Sequence, residues 1–67
     1  MKDLDFCKRL FSIRTAKGMT QSQLEKKAGL QSTLVSHYEV GERKPGLDNI
    51  KALCKGLSCT ASELIGI

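Results

Sequence analysis

The sequence predicts an all-α fold built from five short helices. Apolar residues recur three and four positions apart along most of the 67-residue chain, and this spacing places them on one face of a helix. Glycines and short polar stretches interrupt the pattern at places typical of helix ends. No segment of useful length alternates with the period of two expected of a strand.

The first helix is predicted from Asp3, which can cap it, to Lys17, after which Gly18 provides a left-handed stop. The second begins with "TQSQ", where Thr20 and Gln23 have the spacing of a capping box, and it ends at Gly29. The inward residues of these two helices share helical spacing: Phe6, Leu10, Ile13, Leu24 and Ala28.

A third helix is predicted directly after Gly29, because Leu30 is the apolar residue expected just beyond a left-handed stop. With Val35 and Tyr38 inward, this helix is predicted to run about ten residues, to a second stop at Gly41. The polar break "GERKPG" follows. Helix four is then marked by residues at three-and-four spacing: Leu47, Ile50, Leu53, Cys54 and Leu57.

The last helix opens with "TASE", in which Thr60 and Glu63 form another capping box, and Leu64 and Ile65 close over the core. The length allows one domain at most, residues 1–67. Neither a membrane span nor a secretory signal is present in the sequence, so a cytoplasmic protein is expected. The net charge of +4 and the sequence pI of about 9.2 fit a nucleic-acid partner.

The three cysteines do not predict a metal site. Cys7, Cys54 and Cys59, even with His37, lack the paired spacing of zinc ligands, and reduced packing thiols are expected instead. No cofactor, metal or small-molecule ligand is indicated by any motif. The sole histidine has no evident nucleophile or acid partner, so we expect that the protein is not an enzyme.

Two short helices joined by a glycine-containing turn form a helix-turn-helix, which in this chain is predicted to cover about residues 20–41. Such a second helix fits the major groove of double-stranded DNA. The small polar residues expected to face outward from it, and so to contact bases, are Ser32, Thr33, Ser36 and His37.

At this point the chain resembles the Cro/repressor-type (XRE-like) helix-turn-helix regulators. The resemblance rests on "KGMTQSQLEKKAGL" and "VSHYEVGERKPGLDNIKALCKGLSCTASELIG" together with Arg14, and it covers nearly the whole chain. It implies a compact five-helix bundle of the lambda-repressor-like type. It also implies a sequence-specific DNA-binding transcriptional regulator, with repression as the expected output.

The family's roles can be carried over where residues match. Gln21 matches a helix-two glutamine that usually bonds a DNA phosphate, a role suited to a helix N-terminus. Arg14 and Glu39 match a pair that often forms an ion bridge. Ser32, Thr33 and His37 match positions that usually read base edges, with Ser36 close by. The further phosphate contacts predicted from position are Thr20, Arg43 and Lys44.

Two departures from the family pattern stand out. Glu25 occupies a position in the middle of helix two where a small residue is usual. Gln31, a poor capper, stands where a short polar cap of helix three is usual, with Ser32 one residue late. None of the outward residues is Arg, Asn or Gln, so base readout is expected from hydroxyls, the His37 ring, methyl contacts and DNA shape.

A homodimer is expected, because one small domain makes few contacts and two-fold pairing on half-sites supplies more. The candidate dimer residues are Ile65, Ile67 and Phe11, although the apolar tail could instead cap its own core. The alternative function is a protein-interaction module of the same fold, such as an antitoxin or anti-repressor partner. Steep salt dependence would favour DNA over an apolar protein interface.

Overall fold

Five α-helices make up most of residues 3–66, the part of the chain that the computed structural model describes; side chains are described from Phe6 onward. The helices are α1 (Asp3–Ala16), α2 (Gln21–Ala28), α3 (Leu34–Glu39), α4 (Leu47–Leu57) and α5 (Ala61–Ile65). Within residues 3–66 there is no strand, and the predicted all-α fold is confirmed. None of these five helices has the length and apolar character that a membrane span requires.

Local sequence explains how two of the helices begin. The Thr20 hydroxyl oxygen accepts from the N–H of Gln23 at 3.1 Å, and the Gln23 side-chain oxygen accepts from the N–H of Thr20 at 2.8 Å. Thr60 and Glu63 repeat the arrangement at 3.1 and 3.0 Å. Both predicted capping boxes are therefore confirmed. The capping role predicted for Asp3 lies outside the described side chains.

The helix ends follow the glycines. At Gly29, with φ of 70°, the N–H of Leu30 donates to the carbonyl of Glu25 at 2.9 Å. After α3, Gly41 has φ of 81°, and the N–H of Glu42 donates to the carbonyl of His37 at 2.9 Å. These bonds satisfy carbonyls that a helix end would otherwise leave open.

The core lies where α1, α2, α3, α4 and α5 meet. The rings of Phe6 and Tyr38 pack edge to face with centroids 5.9 Å apart, an arrangement favoured by the ring quadrupoles. α2 packs along α4, while α1 packs against both α3 and α5. The buried residues of this cluster are Phe6, Leu10, Leu24, Val35, Tyr38, Leu53, Leu57 and Leu64.

The predicted length of the third helix is wrong. α3 has six residues instead of ten, and it begins at Leu34 because Thr33 adopts a left-handed conformation with φ of 69°. Ser32 and Thr33 therefore belong to the turn before the helix. The first helix ends at Ala16, one residue earlier than predicted.

Leu47 departs from the predicted apolar stripe of α4. It was expected to face inward, but it opens the helix beside the exposed loop 41–46 and is 67% exposed. Ile50, Leu53, Cys54 and Leu57 do pack in or against the core. The spacing of the apolar residues therefore predicted α4 correctly. The first turn of α4, however, extends beyond the core residues that could cover Leu47.

Candidate nucleic-acid interface

The turn between α2 and α3 is held at both ends by one residue. The backbone carbonyl of Glu25 accepts from the N–H of Leu30 at 2.9 Å, where the turn begins. Its carboxylate oxygen Oε2 accepts from the N–H of Val35 at 3.0 Å, inside the first turn of α3. Glu25 is only 6% exposed, so this contact is shielded from water.

The predicted base-contacting residues lie on the turn and on α3. Ser32 and Thr33 are exposed in the turn, whereas Ser36 and His37 are partly exposed on the helix. The N–H of His37 donates to the carbonyl of Thr33 at 3.1 Å, which sets these two residues one helical turn apart on the same side. With six residues, α3 is about 9 Å long, so the turn forms a large part of this surface.

His37 makes a contact that the sequence did not predict. Its ring Nδ1 lies 2.9 Å from Oε1 of Glu42, and the two side chains are 41% and 63% exposed. Because Nδ1 faces Glu42, the other ring nitrogen, Nε2, points away from that carboxylate. The partner comes from the residue just past Gly41, so the Gly41 turn also shapes this surface.

A polar network joins the first three helices behind the candidate surface. Arg14 donates to Glu39 from Nε at 2.6 Å and from Nη2 at 3.1 Å, and from Nη1 to the Met19 carbonyl at 2.7 Å. Gln21 donates from Nε2 to Oε1 of the same Glu39 at 2.9 Å. Gln21 is predicted to contact phosphate, but in the structure one of its side-chain N–H groups donates inside the protein. The amide nitrogen carries two hydrogens, so this bond uses only one of them.

The loop between α3 and α4 borders the start of α3. Arg43 and Lys44 are exposed and line a groove of about 420 Å³ whose other wall includes Gln31 and Leu34. The loop side chains predicted to contact phosphate are therefore brought next to the turn predicted to contact bases. Thr20, at the start of α2, is also exposed.

Tyr38 and Asn49 join the two helices that flank this loop. The Asn49 side-chain nitrogen donates to the Tyr38 hydroxyl oxygen at 2.7 Å, joining α4 to α3 across the groove. Neither this bond nor the Glu25 contact was predicted from the sequence. The signal for Glu25 was present, since a carboxylate replaced the usual small residue while Gln31 was a weak capper.

The candidate dimer residues differ in exposure. Phe11 is 52% exposed, and the Arg14 guanidinium carbon lies 5.3 Å from its ring centroid. Ile65 is partly buried and packs against the core cluster. Ile67 lies outside the described residues.

The cysteines lie in or against the core. Cys7 is buried, and Cys54 and Cys59 are partly buried against the main cluster; all three are free thiols. Among the described residues, no three histidine, cysteine or acidic side chains are grouped so that they could hold a metal ion.

The chain is similar to proteins described as regulators. It is 32% identical over 62 residues to the HTH-type transcriptional activator BcrR of Enterococcus faecalis, covering 92% of this chain and 30% of BcrR. It is 29% identical over 62 residues to the uncharacterized HTH-type transcriptional regulator YobD of Bacillus subtilis, covering 92% of this chain and 55% of YobD. The chain thus spans less than a third of the length of BcrR and about half of the length of YobD.

Among solved structures, the chain resembles the restriction-modification controller protein C.AhdI from Aeromonas hydrophila. The TM-score is 0.88 at 37% identity, covering 92% of this chain and 94% of that one. A family model described as helix-turn-helix matches residues 10–64. The chain belongs to the XRE-type helix-turn-helix family.

Proposed function

We propose that this chain acts as a sequence-specific DNA-binding transcriptional regulator, with residues 1–67 as one DNA-binding domain. The observation that supports this proposal most is that the turn, α3 and the loop carrying Arg43 and Lys44 lie side by side and form one surface. It combines small polar side chains, which can meet base edges, with cations suited to the flanking phosphates.

In this proposal α3 enters the major groove. Ser32, Thr33, Ser36 and His37 meet base edges through hydroxyls, a methyl group and the imidazole ring. Thr20 and Gln21 at the start of α2 meet the phosphate backbone on one side of the groove. Arg43 and Lys44 meet phosphates on the other side. Because these side chains offer no bidentate base contact, DNA shape contributes to the selection of the site.

We propose further that the protein binds its operator as a homodimer. One six-residue reading helix reaches few base pairs, and two-fold pairing doubles the contacts on half-sites about 34 Å apart. Phe11 is the better candidate for the dimer surface, since Ile65 already packs on its own core. A dimer bound over a promoter excludes polymerase, so repression is the simplest output.

Selection from a random duplex pool at physiological salt tests the proposal. We expect an enriched inverted repeat whose binding weakens steeply as salt rises, because each phosphate contact releases counterions. Sedimentation of the complex would give two chains per repeat. A pool with no enriched sequence would refute the proposal.

Two variants sharpen this test. Arg43→Ala should weaken binding to all sequences alike and lower the salt slope by about one, whereas His37→Ala should change base preference within the selected site. Lys51→Ala is the matched control, since it removes an exposed cation from α4 outside the proposed surface. A promoter reporter then decides the output, because the relative BcrR is named an activator.

The alternative of a protein-interaction module is not favoured, because the curated relatives described above are named as transcriptional regulators. We also propose that the chain has no catalytic activity. The ring of its sole histidine is paired with an exposed glutamate on the candidate DNA surface.

A further inference from the structure

The start of α3 lacks a cap of its own. Thr33 is the N-cap residue, but its side chain makes no capping hydrogen bond, and its backbone is left-handed with φ of 69° and ψ of −5°. An ordinary N-cap threonine has an extended backbone, from which its hydroxyl reaches the N–H two or three residues on. The free N–H groups at this end of α3 therefore need another acceptor.

Glu25 supplies that acceptor from the neighbouring helix. Its Oε2 lies 3.0 Å from the nitrogen of Val35, the second residue of α3 and one of the two positions that an N-cap side chain would serve. A carboxylate at this end of a helix is also favoured by the helix dipole. The backbone carbonyl of Glu25 meanwhile accepts from Leu30 at 2.9 Å.

One residue thus holds the turn at its beginning and at its end. The four residues 31–34 lie between the two residues that donate these bonds, Leu30 and Val35. Ser32 and Thr33 belong to that span. Glu25 itself is 6% exposed, so it is shielded from any DNA lying on the surface. Whatever it contributes to recognition must act through the turn and α3.

We propose that Glu25 is a positioning residue for DNA recognition, which rests on the function proposed above. By capping α3 from α2, its carboxylate sets where the reading helix starts and how Ser32 and Thr33 face the groove. A change at Glu25 should alter which bases are preferred, although Glu25 touches no base. The side chain's reach and its acceptor oxygen matter for this role more than its charge.

Three substitutions separate reach from charge. Glu25→Gln keeps the length and one acceptor oxygen, Glu25→Asp keeps the charge but is one methylene shorter, and Glu25→Ala removes the group. The matched control for loss of a negative charge is Asp48→Asn, because Asp48 is exposed in α4. Glu25→Asp secures the test if Glu25→Ala does not fold.

We would repeat the duplex selection with each variant at a temperature where it is fully folded, and measure exchange of the Val35 amide by NMR. Glu25→Gln should retain the wild-type base preference. Glu25→Asp should exchange the Val35 amide at least tenfold faster and lose at least tenfold in binding to the selected site. Its binding to random duplex should stay within about twofold.

The outcomes distinguish the two proposals. A wild-type chain without any sequence preference would refute the proposed function, and the role of Glu25 with it. A wild-type preference that folded Glu25→Asp retains in full would refute the role of Glu25 alone, even if that variant melts at a lower temperature. A preference lost equally in Asp48→Asn would attribute the effect to charge and also overturn the proposal.

Discussion

Arg14 and Glu39 are joined by two hydrogen bonds across 25 residues of sequence, with the shorter at 2.6 Å. Their side chains are 10% and 6% exposed, so the pair lies almost entirely out of water. Such a pair adds little net stability compared with apolar packing, but loss of one partner leaves the other charge buried and uncompensated. The pair therefore constrains substitution at either position.

We expect Glu39→Ala to lower the free energy of unfolding by about 3–5 kcal/mol. Gln21 would lose its acceptor as well, and the ends of α1 and α3 would loosen. Urea denaturation monitored by circular dichroism measures the loss. The control is Glu42→Ala, whose carboxylate is exposed and should cost less than about 1 kcal/mol. Equal stability of Glu39→Ala and the wild type would show that the pair is dispensable.

The sequence predicted those features of the fold that depend on near neighbours. The capping boxes at Thr20 and Thr60 each need a partner only three residues away, and the left-handed stops at Gly18, Gly29 and Gly41 need no partner side chain. Spacing was therefore enough to find five helices and most of the core.

The start of α3 could not be found in this way. Its cap comes from Glu25, ten residues earlier and on another helix, and the turn depends on a left-handed threonine. Propensity disfavours that conformation for Thr33, so the sequence favoured a longer helix. The sequence placed Ser32 and Thr33 on the third helix, whereas the structure places them in the turn before it.

Gly56 marks the closest approach of α2 and α4. A Cβ built there would lie 3.1 Å from Cδ1 of Leu24, 3.2 Å from Cβ of Ala28 and 3.3 Å from its nitrogen. Alanine would gain about 1 kcal/mol in helix propensity, but crowding a packed core costs about 1–3 kcal/mol. We expect Gly56→Ala to be destabilised by about 1 kcal/mol in net terms.

Thermal unfolding measures this effect, with Lys55→Ala as the matched control, since Lys55 is exposed one position earlier on the same helix. Lys55→Ala should be near neutral because lysine and alanine differ little in helix propensity. If Gly56→Ala melted above the wild type, α2 would be able to move aside and the contact would not be a constraint.

The capping box of α5 should be visible in a titration. The pKa of Glu63 is lowered, first because the backbone N–H of Thr60 donates to its carboxylate and then because the Thr60 hydroxyl does. A carboxyl group with a lowered pKa in the folded state stabilises the fold above its unfolded pKa. That contribution is lost as the pH falls through the folded value.

NMR titration of the Glu63 side chain should therefore give a pKa below the usual glutamate value. Thr60→Ala, which removes the hydroxyl but not the backbone N–H, should raise that pKa part of the way back. Ser62→Ala, at an exposed position of α5, should leave it unchanged. A Glu63 pKa at the ordinary value in the wild type would mean that the capping box does not persist in solution.

Cys59 should be an unreactive thiol despite its partial exposure. Burial raises its pKa to about 11 from 9.0, and the neighbouring Cys54 and Glu63 add to the shift while Lys17 opposes it. Since only the thiolate attacks an alkylating agent, a pKa two units higher leaves about 100-fold less of the reactive form at pH 8. Labelling of Cys59 by iodoacetamide, followed by mass spectrometry, should be correspondingly slow.

The same shift predicts how stability depends on pH. The folded thiol holds its proton more tightly than the unfolded one, so its contribution to stability is complete below about pH 9 and is lost as the pH rises through 11.

Cys54→Ser removes the neighbouring thiol, so we expect it to lower the pKa of Cys59 and speed the labelling, whereas Ser58→Ala retains Cys54 and gives a local comparison. The pH dependence of Cys59 labelling should be measured both in the folded wild-type chain and in the urea-unfolded chain. Labelling that is equally fast in the two would contradict the raised pKa.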